Sequence, residues 1–296
     1  MSDFDPVLSE KLDAVWGVPA HWHGQGGHWT NLEPVRAVIA GRLGIAPAQS
    51  TVEWFFRVAA QHMPRPPRRG LVLACGPGDL EREILSRGWL QEIVAVDLSP
   101  MVLAHASAAA AAAGLSGVRY RRADMNQLDL GDEAPFDVVL SVSAVHHCQA
   151  LEQLYDKLTQ IMEPDGLVLF DEYVGPDRFQ WPNDVVQYAN LWLDLLPDRL
   201  VRTAEGHLRR NFRAPTLADV IALDPSEAVR SSEILPLLPS RFEVLEQRGY
   251  CGALLHMVLA DIAWNFTQDA AAERYLSLLI QAEDRLQEQG RLTDYF

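Results

Sequence analysis

Basic residues are scarce in this sequence. Over 296 residues, 25 lysines and arginines stand against 40 aspartates and glutamates, a formal net charge of −15. That balance argues against a broad nucleic-acid-binding surface, because a negative face is repelled by phosphates. The nearest basic cluster, RPPRRG at 65–70, reads as a linker entering the core. No run of about twenty apolar residues occurs, so a membrane-spanning helix is not expected. The opening MSDFDPVLSEKLD is acidic and lacks the basic and apolar regions of a signal peptide, and a cytoplasmic protein is expected. Three cysteines lie far apart and form no metal signature, and Cys75 and Cys148 read as reduced and structural. Two histidine pairs, His21 with His23 and His146 with His147, have no nearby Cys/His/Asp pattern to complete a site, so no metal is expected.

What is present is enough apolar material for a sizeable core, with 48% hydrophobic and 22% charged residues. The length suits one large domain or a core with an added cap. Residues 31–44 and 50–63 look helical, and PRPPRR then ends the helix. From residue 70 strand and helix alternate. Short apolar runs predict strands at 71–74, 92–98, 118–125, 136–147 and 166–174. Helices are predicted from 79 to 87, through the alanine-rich stretch 104–115 behind a Ser99 cap, and over 151–162. This rhythm implies a mostly parallel α/β sheet covered on both faces. Residues 175–240 break it with prolines and one helical stretch, 184–196, and read as an insertion. RFEVLEQRGY, 241–250, looks like a returning strand, followed by helices near 253–266 and 270–289. The expected division is an amino-terminal helical lid over 1–65, a ligand-binding core over 66–174, a cap over 175–240, and a returning strand with helices over 241–296.

Open parallel sheets bind ligands at the carboxyl ends of their strands, and four signals fall there. Gly76 and Gly78 in ACGPG allow a tight turn and close ligand approach. Asp97, ending the second strand, can accept both hydrogens of a ribose diol. Asp124, ending the third, suits an adenine amino group. The stretch 141–147 follows the fourth. The turn lacks the GK[ST] of a phosphate loop, and position 81 is Glu where a dinucleotide motif has glycine. Asp97 lies twenty-one residues beyond Gly76, a spacing also met in nicotinamide sites. Asp79 and Glu81 would stand near a pyrophosphate, so a ligand without phosphates and with its own positive charge fits better.

Together these motifs resemble the class I S-adenosylmethionine-dependent methyltransferases, clearly over about 70–175. LACGPG is similar to the first motif, with Ala74 where the family has its first glycine and Val72 where it often has an acid. VAVDLSPMVL, 94–103, resembles the second, which implies Asp97 on the ribose and Met101 against adenine. ADMNQLDL, 123–130, resembles the third, with Asp124 on the adenine amine and the Met125 backbone on its ring. Ser141 or Val142 matches the position that often contacts the methionine portion. MEPDGLVLFDE, 162–172, resembles the entry into strand five. The resemblance implies a Rossmann-like sheet of order 3-2-1-4-5-7-6. Residues 241–250 would then be strand six, and LTDYF, 292–296, the beginning of strand seven. So short a seventh strand implies either a shortened chain or a partner over an incomplete edge, and a homodimer is allowed for.

The resemblance implies methyl transfer from S-adenosyl-L-methionine to a small-molecule acceptor such as a natural-product intermediate. The alternatives are a sulfonium-assisted rearrangement or group transfer on the same fold, a nicotinamide oxidoreductase, and a non-enzymatic cofactor-binding partner. Methyl transfer needs orientation and exclusion of water, and a base only when the acceptor arrives protonated. His146 and His147, past the fourth strand, are the first catalytic candidates. At the end of the fifth, Asp171 and Tyr173 share one face and Glu172 the other, and Glu172 is preferred. Trp22, His28 and Trp29, with Trp181, Tyr188 and Trp192, are candidates for closing the pocket. Asn211 and Arg213 could anchor an acidic acceptor but read as a solvated face. His256, on an apolar helix, reads as a core histidine.

Overall fold

The computed structural model describes residues 11, 13, 14, 27–47, 49–133 and 135–296. In chain order the main elements are α1 (Glu33–Leu43), α2 (Thr51–His62), β1 (Arg69–Leu73), α3 (Asp79–Arg87), β2 (Glu92–Asp97), α4 (Pro100–Ala112), β3 (Val118–Arg122), β4 (Phe136–Val142), α5 (Leu151–Ile161), β5 (Met162–Asp171), α6 (Asn183–Leu195), α7 (Leu217–Leu223), α8 (Ile234–Leu237), α9 (Leu255–Leu259) and α10 (Ala270–Glu288). The five strands form one parallel sheet in the order β3-β2-β1-β4-β5. This is the Rossmann-like class I methyltransferase arrangement of strands one to five, with helical insertions.

Composition sets each strand's place. β1, β2 and β4 are nearly continuous apolar runs with almost every residue buried, as central strands covered on both faces require. β3, VRYRR, takes an edge, where its arginines reach water. β5 takes the other edge and tolerates Pro164 near its start, because an edge strand has backbone groups outside the ladder. In the register, Leu71 of β1 stands between Val94 of β2 and Val139 of β4, which brings their carboxyl ends together. At the opposite end the Asp137 carboxylate accepts the backbone N–H groups of Arg68 and Arg69 at 2.8 and 2.9 Å and pairs with Arg65 at 2.6 Å.

The described residues divide into two compact units. The first contains the sheet and comprises Phe55–Tyr173 and Val220–Leu245, with residues 11, 13 and 14. The second comprises residues 27–54, Val174–Asp219 and Glu246–Phe296. The insertion expected over 175–240 is therefore split. Its later part folds with the sheet because specific groups hold it there: Val229 N–H donates to the His146 carbonyl at 3.0 Å, Tyr155 Oη donates to the Ile234 carbonyl at 3.0 Å, and Arg230 pairs with Glu152 at 2.7 Å.

The expected returning strand is not formed. Residues 241–250 are irregular, with Val244 and Leu245 exposed. Alternation of polar and apolar residues is a local pattern, whereas a strand also requires an edge to pair with. The last residues instead run extended within the second unit. Tyr250 N–H donates to the Phe296 carbonyl, Tyr295 N–H to the Cys251 carbonyl, and Val174 N–H to the Tyr295 carbonyl. In the same unit the buried Glu283 carboxylate accepts four backbone N–H groups, from Gly252 to Leu255, and so fixes the entry into α9.

Beneath the glycine turn lies a buried acid. Glu81, in the first turn of α3, is fully buried, and neither carboxylate oxygen has a hydrogen-bond partner among the described residues. Burial pushes its pKa up to about 8. The side chain therefore points inward and is neutral at pH 7, while the neighbouring Asp79 pairs with Arg82. Glu81 thus does not repel a phosphate at the turn, contrary to the expectation from sequence. The folded protein holds this proton and the unfolded chain releases it near pH 4.5. The contribution of Glu81 to stability is full below that value and falls by on the order of 1 kcal/mol per pH unit up to about pH 8. Glu81→Gln is expected to flatten the loss of stability between pH 5 and 8, about the window so defined, as read by urea unfolding. An unchanged slope would refute the buried-proton assignment.

Candidate active site

The turn after β1 is built for close approach by a ligand. Ala74 has φ +43°, a conformation costly for a residue with a Cβ, and it stands where a glycine was expected from the resemblance. Gly78 has φ +79°, and a Cβ there would lie 2.7 Å from Tyr120 Oη and 2.9 Å from Ala106 Cβ. Ala106 of α4 and Tyr120 of β3 thus seat the turn. A Cβ on Gly76, by contrast, would meet open space. This is the room a ligand needs beside the turn.

Asp97 joins the turn to the end of β2. Its Oδ2 accepts the Gly76 N–H at 3.0 Å and its Oδ1 accepts the Ser99 N–H at 2.9 Å. Burial raises its pKa, and those backbone bonds oppose the rise. Each oxygen keeps a second lone pair for a ligand hydroxyl. Asp124 caps the short helix Met125–Gln127 by accepting the Asn126 N–H at 2.8 Å. The Asn126 side chain then accepts the N–H groups of Gln149 and Ala150, which ties the end of β3 to the loop after β4. Met101, at the start of α4, is 55% exposed, and Met125 and Val142 are half-buried. Ser141 is fully buried and its hydroxyl donates to Glu172 at 3.1 Å.

Glu172 organises the other side of the site. Its Oε1 accepts the Ala144 N–H at 2.7 Å and the Val145 N–H at 2.5 Å, and its Oε2 meets His146 Nδ1 at 2.8 Å. Burial would raise its pKa, but the His146 hydrogen bond, its charge and the backbone donors bring it below the usual value. A carboxylate so occupied positions the loop rather than touching an acceptor. Burial would lower the His146 pKa, and the bond to Glu172 with the charges of Glu172, Glu227 and Asp224 raises it instead. His147 lies beside it, ring centroids 4.3 Å apart, with Nδ1 at 3.0 Å from Ser226 Oγ. Ser226 Oγ donates to Asp224 at 2.6 Å.

Sequence reasoning missed Asp224, Ser226 and Glu227. They arrive from a proline-bearing stretch about eighty residues after the histidines, and no local spacing marks them. One ligand atom from each of His146, His147 and Glu227 lies within 4.8 Å of the others, so folding assembles a His/His/Glu cluster from residues distant in sequence. His21, Trp22 and His23 fall outside the described residues. In the second unit, His28 neighbours Trp29, and Trp29, Tyr250 and His256 gather around Phe296. Trp181 meets the His256 ring at 5.9 Å, and desolvation pulls the His256 pKa down to about 4, as a core histidine requires. Tyr188 and Trp192 lie off the buried face of α6, which is Val185, Ala189 and Leu193, and Asn211 and Arg213 are exposed.

Residues 71–170 match the family described as a methyltransferase domain. The chain is 34% identical over 168 residues to a malonyl-[acyl-carrier protein] O-methyltransferase of Enterobacter lignolyticus, covering 55% of this chain and 62% of that protein. It is 31% identical over 127 residues to a demethylmenaquinone methyltransferase of Thermus thermophilus, covering 43% and 57%. The chain thus spans about three fifths of these relatives' lengths. A crystal structure of an S-adenosylmethionine-dependent methyltransferase from Mesorhizobium loti aligns with 29% identity and a TM-score of 0.34, covering 41% of this chain and 53% of that one. With its first motif, strand order and match over residues 71–170, the core of this chain is a methyltransferase domain of the class I S-adenosylmethionine-dependent kind. Its core is accordingly an S-adenosylmethionine-binding core. Among the described residues no helix is long and apolar enough to cross a membrane.

Removing Glu172 would orphan the amides of Ala144 and Val145 and free the His146 ring. Glu172→Ala is expected to cost about 3 kcal/mol in urea unfolding, with the His146 imidazole signals broadened in NMR spectra. A loss under about 1 kcal/mol would show that the loop is held by other contacts.

Proposed function

We propose that this protein transfers a methyl group from S-adenosylmethionine to a small-molecule acceptor. The observation that carries the reading is the order of groups along one sheet edge. An open glycine turn follows β1, Asp97 ends β2, Asp124 follows β3, and the His146–His147 pair follows β4. The cofactor, when bound, supplies an electrophilic methyl on a sulfonium. Asp97 accepts the ribose hydroxyls through the lone pairs its backbone donors leave free. Asp124 accepts the adenine amino group, and Met101 and Met125 flank the ring. Val142 borders the methionine portion, and Ser141 supports that strand end from beneath through Glu172. His146 and His147 receive the reacting group of the acceptor. Glu172 is a positioning residue acting through His146.

The named relatives are a malonyl-[acyl-carrier protein] O-methyltransferase and a demethylmenaquinone methyltransferase. We infer an acceptor in that range, a carboxylate or an enolisable or phenolic ring, with its reacting atom oxygen or carbon. An acceptor that arrives ionised needs no general base.

Incubation with isotopically labelled S-adenosylmethionine and a panel of carboxylic acids, malonyl thioesters, phenols and quinols is expected to give a product heavier by one labelled methyl group. Cofactor consumption without transfer of label would favour a rearrangement or another group transfer. Asp97→Ala is expected to weaken cofactor binding by roughly ten- to a hundredfold in calorimetry, the loss of charged hydrogen bonds, with Asp97→Asn intermediate. Unchanged binding by both variants would remove Asp97 from the ribose.

A further inference from the structure

The geometry around the histidine pair points to a bound metal, and we propose that His146, His147 and Glu227 form a mononuclear site for a divalent transition metal, with Zn²⁺ the expected ion. Two hydrogen-bond chains fix which nitrogen each ring presents. Ionised Glu172 can only accept, so His146 carries its proton on Nδ1, 2.8 Å away. Ser226 Oγ gives its single proton to Asp224 and therefore accepts from Nδ1–H of His147 at 3.0 Å. Both rings thus turn Nε2 toward the Glu227 carboxylate, His146 Nε2 at 3.5 Å from Oε1 and His147 Nε2 at 4.0 Å from Oε2.

Those separations exceed an N–H···O hydrogen bond. They approach the edge of a tetrahedron around a zinc ion, about 3.4 Å for metal–ligand bonds of about 2.0–2.1 Å. An ion held there would be ligated by both imidazole nitrogens and the carboxylate at once. One ligand atom from each of the three residues lies within 4.8 Å of the other two, and binding one ion would draw these atoms in toward the tetrahedral edge. The outer partners are those that metal-bound histidines use: a carboxylate on one Nδ1, and a serine backed by a carboxylate on the other. Two imidazoles and a carboxylate suit Zn²⁺, and three protein ligands leave a fourth position open. On the reading above, that position would hold the acceptor's oxygen and polarise it, as a Lewis acid does. The site itself stands whether or not the chain transfers methyl groups.

The test uses untagged full-length protein, stripped with a chelator and titrated with Zn²⁺ by calorimetry, with no cofactor or acceptor present. One equivalent is expected to bind. His147→Ala and Glu227→Ala are expected to weaken binding by about a hundredfold or more, and Glu172→Gln by roughly ten- to a hundredfold. His62→Ala, at an exposed histidine, is expected to change nothing. X-ray absorption on the zinc-loaded wild type, which needs no variant to fold, is expected to show two imidazoles in the coordination shell. Fewer than two imidazoles, or zinc affinity equal in wild type, His147→Ala and Glu227→Ala, would overturn the site and leave a proton as the cation between these groups. A methyl-transfer assay that failed while zinc bound as expected would count against the proposed function and not against the metal.

Discussion

The loop after β4 depends on one buried carboxylate. Glu172 follows the end of β5 and collects the Ser141 hydroxyl, the amides of Ala144 and Val145 and the His146 ring. Ionising a group in that position is costly unless its lone pairs are filled, and here the loop fills them. The backbone can therefore turn sharply at Ser143, whose φ is +52° and whose N–H donates to the Asp171 carbonyl. Rotating or neutralising Glu172 would release the same amides that give the loop its shape, so the orientation of His146 and the stability of the turn are one property.

The same device recurs. Asp97 holds the glycine turn to β2 by accepting one amide from each side. Asp137 does so at the opposite end of the sheet, and Glu283 does so for the loop before α9 in the second unit. Irregular backbone near a core has polar groups that must be paired, and a carboxylate can satisfy several amides at once. Glu81 is the exception. It is buried without such donors, stays protonated, and contributes packing under the turn in place of charge.

Much of the fold was legible because its signals are local. Apolar runs bounded by glycine, proline or acid placed the five strands within a few residues. Ser99 caps α4 through its hydroxyl, which accepts the Val102 N–H at 3.1 Å. The residues that follow the strand ends were legible for the same reason. Gly76, Gly78, Asp97 and Asp124 each close a strand, and the parallel sheet brings strand ends together. The 241–250 segment was misread because alternation describes side chains and says nothing about whether an edge is available.

Chemistry at the acceptor side was not legible. The sequence by itself determined which residues end the strands, hence a core able to hold S-adenosylmethionine. Glu172 was singled out over Asp171 and Tyr173 as a candidate at the reaction, whereas the contacts it makes are with Ser141, the amides of Ala144 and Val145 and the His146 ring. A strand-end carboxylate turned into the sheet meets amides before it can meet a ligand. Only the tertiary structure brought Asp224, Ser226 and Glu227 to the two histidines, across about eighty residues of chain. The reason is physical. Periodicity and turn chemistry act over a few residues, whereas the charge and tautomer of an imidazole are set by whatever lies within hydrogen-bonding distance in space.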